Sequence, residues 1–291
     1  MDGALILDKP EGLSSHSCVV KVRRLLSEPR IGHLGTLDPF ATGVLVLLLG
    51  QATRLARFYR ERDKTYEGTI RFGFSTDTYD RTGKPTSPER ETKLDAGELR
   101  SALAEFVGTR LQQPPPVSAK KVGGVRAYRL ARKGEAPQLA PASVTIHEME
   151  ILSLEGPFLR FRTRVSSGTY IRSLAHDLGE RFGVGAHLSQ LRRTAAGEFT
   201  ESQAVSFERL EELAREGAVP LIPLECLLPE FPAVVLPPEA IGPVSHGNSV
   251  AIDCSANWVR LVAESGKLAA VAERLGERLY HPVVVFSSER G

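Results

Sequence analysis

Residues 32–43 read Gly32-His33-Leu34-Gly35-Thr36-Leu37-Asp38-Pro39-Phe40-Ala41-Thr42-Gly43 and run straight into the apolar residues 44–49. Glycine lets a backbone take positive φ or approach another group closely, and proline fixes φ, so a loop of this composition holds a defined shape. It feeds a run whose length and composition predict a buried strand. Asp38 is the side chain the loop presents. Asp before Pro commonly initiates a turn, and a plain turn is the alternative here. A histidine, a threonine and three glycines close to one carboxylate argue for more than that.

The chain has 291 residues, 42% of them hydrophobic, which suffices for one large domain, one small domain and a sizeable core. No apolar run reaches membrane-spanning length. The first residues lack the basic region, long apolar stretch and cleavage site of an export signal. Cys18, Cys226 and Cys254 are far apart and lack histidines at ligand spacing, so neither a disulfide framework nor a zinc site is expected. A reducing cytoplasm is the expected location. The formal net charge is +2, unevenly spread: residues 1–200 hold 30 Lys+Arg against 22 Asp+Glu, or +8, and residues 201–291 hold 7 against 13, or −6. Contact with nucleic acid is therefore expected of the first two thirds, although a charge run is usually just solvated surface.

Around the loop, residues 3–7 read as a first strand, and Ser14-Ser15 ahead of Val19, Val22, Leu25 and Leu26 reads as a capped helix. Residues 51–60 show helical spacing of Ala52, Leu55, Ala56 and Tyr59. Residues 64–74 alternate, with Tyr66, Gly68, Ile70, Phe72 and Phe74 on the buried face of a strand. The Asp- and Thr-rich residues 76–83 read as an ordered loop; they lack the ligand ladder of a calcium site. Asp95 caps a helix carrying Leu99, Leu103 and Phe106. Residues 110–133 carry seven basic side chains, among them Lys120, Lys121, Arg126 and Arg129, and no acid. Such a segment suits a mobile arm laid on phosphates. Residues 144–154 read as a strand, and Arg160, Arg162 and Arg164 share one face of the next. A helix follows from Arg172, and another spans residues 206–216. The seven prolines between Pro220 and Pro243 predict linker and edge strand rather than helix. Short apolar runs in residues 231–286 predict a small β domain.

Three stretches carry a family resemblance. Gly32-His33-x-Gly35-Thr36-Leu37-Asp38-Pro39 resembles the signature of the tRNA pseudouridine-55 synthase family; Lys64-Thr65-Tyr66 and Ser166-Ser167-Gly168-Thr169-Tyr170-Ile171-Arg172 resemble two further motifs, completed by Leu191-Arg192-Arg193-Thr194. The resemblance covers most of residues 3–200. It implies an α+β fold: a mixed, largely antiparallel sheet flanked by helices in residues 1–228, with an RNA-clamping insertion at about 110–140, then a small PUA-like β domain in residues 229–291. It implies Asp38 as the catalytic carboxylate, Arg172 as its partner, and Tyr66 beside the reacting base. Tyr170 and Leu191 would line the base pocket. His33 would occupy space vacated in the RNA loop, and Lys9-Pro10 would support the active-site loop. The implied substrate is the TΨC arm of tRNA, with no cofactor or metal, no obligatory protein partner, and a monomeric enzyme. The acidic balance of residues 201–291 departs from an RNA-binding terminal domain.

Turning uridine into pseudouridine breaks the ribose C1′–N1 bond, rotates the detached uracil and rejoins it through C5. One ionised carboxylate suffices, as nucleophile on the sugar or as base at a ribose carbon, with an arginine keeping it charged. Tyr66 would assist proton removal at C5 or stack on the ring. The base must leave its stack, which calls for a pocket with stacking faces. The alternatives are a guide-RNA-dependent relative, a non-catalytic RNA chaperone that folds tRNA by binding, and a carboxylate-pair glycosidase, for which no partner acid is evident.

Overall fold

The computed structural model describes residues 1–118, 121–122, 125–126 and 139–286, with only the backbone described at 121–122 and 125–126. Strand β1 (Gly3–Lys9) pairs antiparallel with β3 (Thr42–Leu49) in unbroken register from Gly3↔Leu49 to Lys9↔Gly43; the short β2 (Ile31–Leu34) flanks β3. Both faces of this pair are covered, so residues 44–49 are continuously apolar instead of alternating. On one face Leu5, Leu7, Leu45 and Leu47 meet helix α1 (Ser15–Leu26), capped by Ser14. On the other face lie Ala4, Ile6, Val44, Val46 and Leu48.

Residues 50–59 give the expected buried side chains by a different route, a 3-10 turn (Gly50–Leu55) followed by the single turn α2 (Ala56–Tyr59). Thr53 Oγ1 donates to Gly50 O at 2.7 Å, a local bond that competes with α-helical pairing. Strand β4 (Lys64–Phe72) stops two residues earlier than the alternation predicts, at Gly73 with φ 115°. Helix α3 (Ala96–Phe106) begins where Asp95 Oδ1 accepts from the amides of Gly97 and Glu98. Strand β5 (Gly108–Gln112) is an edge. The basic segment contains two short paired strands, β6 (Lys121–Val122) and β7 (Val125–Arg126), while residues 119–120, 123–124 and 127–133 lie outside the described residues.

Strands β8 (Ala142–Glu155) and β9 (Phe158–Val165) continue the sheet antiparallel next to β4. Ile70, Phe72, Leu159, Phe161 and Val165 on one face pack against α3 and helix α4 (Ile171–Arg181). The opposite face carries Arg162 and Arg164, which pair with Glu67, Asp63 and Glu148. Strand β10 (Ala186–Ala196) lies between β3 and β4 and joins the two halves of the sheet, antiparallel to β4 but parallel to β3 only at Arg192↔Thr42 and Arg193↔Gly43. Beyond that contact the two strands part, and the loop of residues 76–83 runs beside β10 instead, with Arg81 N donating to Leu188 O at 3.0 Å. The sheet therefore has a notch, filled by that loop and by the loop bearing Asp38. Strand β11 (Phe199–Thr200), helix α5 (Phe207–Arg215) and β12 (Ile222–Pro223) complete this part.

A second, five-stranded sheet has the order β13-β15-β16-β17-β14, from β13 (Ala233–Val235), β14 (Val250–Ala251), β15 (Trp258–Val262), β16 (Leu268–Arg274) and β17 (Leu279–Val285). The proline-rich stretch departs from expectation, because helix α6 (Pro238–Ser245) lies within it. Pro238 occupies the first helical position, where a missing N–H costs nothing. Val262, Val271, Val284 and Phe286 join the apolar cluster containing Val44 and Val46. Phe58 meets Phe231 and Trp258 edge-on at 5.6 and 5.1 Å. The small sheet is thus docked on the large one through apolar contact.

Candidate active site

The Asp38 loop is held from both sides. Leu37 N donates to Ser15 Oγ at 2.8 Å, and the hydroxyl donates back to Leu37 O at 3.2 Å. Lys9, fully buried, donates to Pro10 O at 2.8 Å, Leu13 O at 2.6 Å and Pro39 O at 3.2 Å, and Gly12 N donates to Pro39 O. Three bonds from one ammonium offset the cost of burying it, since bonds to charged groups contribute about 1.5–3 kcal/mol each. Lys9 and Pro10 thereby join the turn after β1 to the residue following Asp38.

From the first turn of α4, Arg172 reaches into the notch. Its Nη2 donates to Asp38 Oδ1 at 3.2 Å and to Val117 O at 2.9 Å, its Nη1 donates to Thr78 O at 3.1 Å, and its Nε stands 2.9 Å from Asp38 Oδ2. Asp80 Oδ2 lies 3.6 Å from Nη1. The other oxygen of Asp80 accepts from Thr82 N, Thr82 Oγ1 and Thr78 Oγ1 at 2.9, 2.6 and 2.9 Å. One guanidinium therefore serves two carboxylates. Arg172 and Asp80 side chains are 6% exposed each, whereas that of Asp38 keeps 35%, open to a cavity. Burial pushes the Asp38 carboxyl above the usual carboxylate range and Asp80 adds to this, while Arg172 and Lys9 pull it back.

That cavity, of about 260 Å3, is lined by Asp38, Tyr66, Tyr170, Arg172 and Leu191 together. Tyr66 and Leu191 are 8% exposed. Tyr170 is fixed by Gln112, whose side chain accepts from Tyr170 N at 2.8 Å and donates to Tyr170 O at 3.0 Å. Burial pushes the Tyr170 hydroxyl up, against the hydrogen bond with Ser118 and the charge of Arg172. His33 lies on β2 opposite Leu47 and does not line the cavity. Of the arm, Lys120 and Arg129 lie outside the described residues, and Lys121 faces Arg126 in the backbone register of the small hairpin.

Sequence reasoning missed Asp80, Arg193, Ser15 and Gln112. Arg193 is 1% exposed and donates to Val44 O at 2.7 Å and Gly35 O at 3.0 Å, tying β10 to both ends of the Asp38 loop. Adjacent arginines in a strand point to opposite faces, so Arg192-Arg193 did signal one inward cation. Gly43 admits the backbone of that residue: φ is 97°, and a Cβ there would meet the main-chain Arg193 O at 2.3 Å. Among the described residues, no group of three or more His, Cys, Asp or Glu is arranged to hold a metal.

The model of the TruB family pseudouridylate synthase N-terminal domain matches residues 23–171, and that of the tRNA pseudouridylate synthase B C-terminal domain matches residues 172–239. The chain belongs to the TruB family. It is 48% identical to the tRNA pseudouridine synthase B of Solibacter usitatus, over 98% of this chain and 100% of that one. To the enzyme of that name from Aquifex aeolicus it is 42% identical, over 87% and 88%. Among solved structures, the fold resembles one described as a Cbf5-Nop10-Gar1 complex, with TM-score 0.74 and 25% identity over 99% of this chain and 84% of that one. The TruB fold is thus α+β, as the motifs implied, with Asp38 at the notch of its sheet.

Proposed function

We propose that the protein isomerises uridine to pseudouridine in the TΨC arm of tRNA, at position 55, with Asp38 acting on a flipped-out uridine. The observation that carries this reading is the Asp38–Arg172 pair opening into a cavity walled by Tyr66, Tyr170 and Leu191. A uracil entering between these side chains gains stacking and apolar contact that offsets the few kcal/mol of unstacking. Its arrival excludes water from Asp38, which raises the carboxyl further, so the attraction of Arg172 is what keeps the carboxylate charged for its work on the ribose. Tyr66 assists at C5 or holds the ring. The position of His33 outside the cavity suits a role in the RNA loop that the uridine leaves.

The relatives' name, tRNA pseudouridine synthase B, supports tRNA as substrate. In this reading residues 1–228 form the catalytic domain and residues 229–291 the terminal β domain, and the enzyme acts as a monomer in the cytoplasm without a protein partner or cofactor. No helix among the described residues is long and apolar enough to cross a membrane. The test is to incubate purified protein with an unmodified tRNA transcript and map pseudouridine. One modified position in the T loop is the expected result; no pseudouridine, or modification scattered over the transcript, would overturn the reading.

A further inference from the structure

The Asp38 cavity holds more positive charge than its one carboxylate can neutralise. Arg60, Lys64, Arg172 and Arg193 line it against Asp38 alone. Arg172 is matched by Asp38 and Asp80, and Arg193 donates from Nε and Nη2 to the carbonyls of Val44 and Gly35. Lys64 is half-buried, and its Nζ donates to the carbonyls of Arg62 and, at 3.4 Å, Arg60, with no carboxylate in ion-pair distance among the described residues. Its sequence neighbour Asp63 is taken by Arg164 at 3.0 Å and His147 at 3.1 Å. Arg60 is exposed and its guanidinium makes no ion pair or hydrogen bond among the described residues. Across the cavity, the loop of Ser167 and Gly168 leaves open space, a Cβ at Gly168 meeting nothing within 4 Å.

We propose that Lys64 and Arg60 form a phosphate subsite at the rim of the Asp38 cavity, holding one of the two backbone phosphates that flank the flipped uridine. The inference rests on the uridine-isomerising reading above. A phosphodiester supplies the anion that the cavity lacks, and holding it fixes the ribose against Asp38, where a small displacement costs much of the rate. The charge on Lys64 is poised to report this. Burial pushes its ammonium down to about 8, with Arg193 adding to the effect and Asp63 opposing it. The cation is present below that range and lost as pH rises through it, so phosphate capture weakens between about pH 7 and pH 9. Arg60, Arg193, Asp63 and the Asp38–Arg172 pair are the charged groups around it.

The test uses tRNA T-arm substrates in which a neutral methylphosphonate replaces the linkage on the 5′ or the 3′ side of the target uridine, with kcat/KM measured at pH 7. In the parent enzyme one of the two replacements should cost about tenfold, equivalent to 1.4 kcal/mol. In the Lys64→Gln, Arg60→Gln double variant the same replacement should cost under about twofold, because the partner is already gone. Lys64→Arg should keep the phosphate effect and extend kcat/KM to higher pH. Equal loss in parent and double variant, or no loss at either linkage, would overturn the subsite. A parent protein that makes no pseudouridine from the unsubstituted RNA would instead overturn the functional reading beneath it.

Discussion

At the scale of the residue, Asp38 shows a conflict between stability and function. Its folded-state carboxyl lies above the ordinary range, so the folded protein binds that proton more tightly than the unfolded chain. Stability is then lost as pH rises from the unfolded-state value through the folded one. Asp38→Asn removes that loss while keeping the acceptor for Arg172. Its melting temperature at pH 7 should equal or exceed the parent's, a difference that vanishes in acid; a lower melting temperature at pH 7 would show that the carboxylate stabilises the fold. Arg172→Ala acts in the other direction. It removes the main attraction that holds Asp38 ionised and leaves Asp80 beside it, so the acidic limb of activity should move to higher pH, with activity at pH 7 reduced at least tenfold. An unchanged limb would break the assignment of the pair. Asp38 stood out by the composition of its loop, whereas Tyr66, Tyr170, Arg172 and Leu191 were singled out only through the family resemblance, and the structure brings all five to one cavity. Asp80 was hidden because its role depends on β10 and α4, which are distant in sequence and bring Leu188 and Arg172 to it.

Among the elements, alternation and capping were readable where local chemistry decides. Ser14 and Asp95 cap their helices, β9 alternates as written, and β4 does so at Tyr66, Ile70 and Phe72 while also burying Thr69 and stopping short of Phe74. Reading failed where tertiary packing overrides local preference. Helix α6 forms despite Pro243 because Val244 is buried in the core of the small sheet and Ala240 and Ile241 pack against it. The arginines of β9 share a face as expected, yet carboxylates of neighbouring strands and loops pair with two of them, which sequence periodicity does not reveal. The parallel contact between β3 and β10 is two residues long and admits no side chain at Gly43. Gly43→Ala should therefore cost about 2 kcal/mol or more in urea unfolding and lower activity, since the displaced Arg193 also holds Gly35. A stability loss under about 0.5 kcal/mol would mean that this contact gives way easily.

For the whole molecule, the charge asymmetry has a structural counterpart: the basic part carries the notch, and the acidic part is docked behind it by Val262, Val271, Val284 and Phe286. Deleting residues 231–291 should thus expose the face of Val44 and Val46 and lower the melting temperature by several degrees. A parent-like melting curve would show that the docking contributes nothing. Neutralising Lys120, Lys121, Arg126 and Arg129 together should leave the melting temperature unchanged and reduce the slope of log affinity against log salt by up to one unit per lost phosphate contact. An unchanged slope would remove the arm from RNA binding. The central claim, that Asp38 performs the isomerisation, is tested most directly by single-turnover pseudouridine formation with Asp38→Asn at saturating tRNA, alongside its RNA affinity. The account predicts no product above background with affinity within a few-fold of the parent; product formation at a rate near the parent's would contradict it.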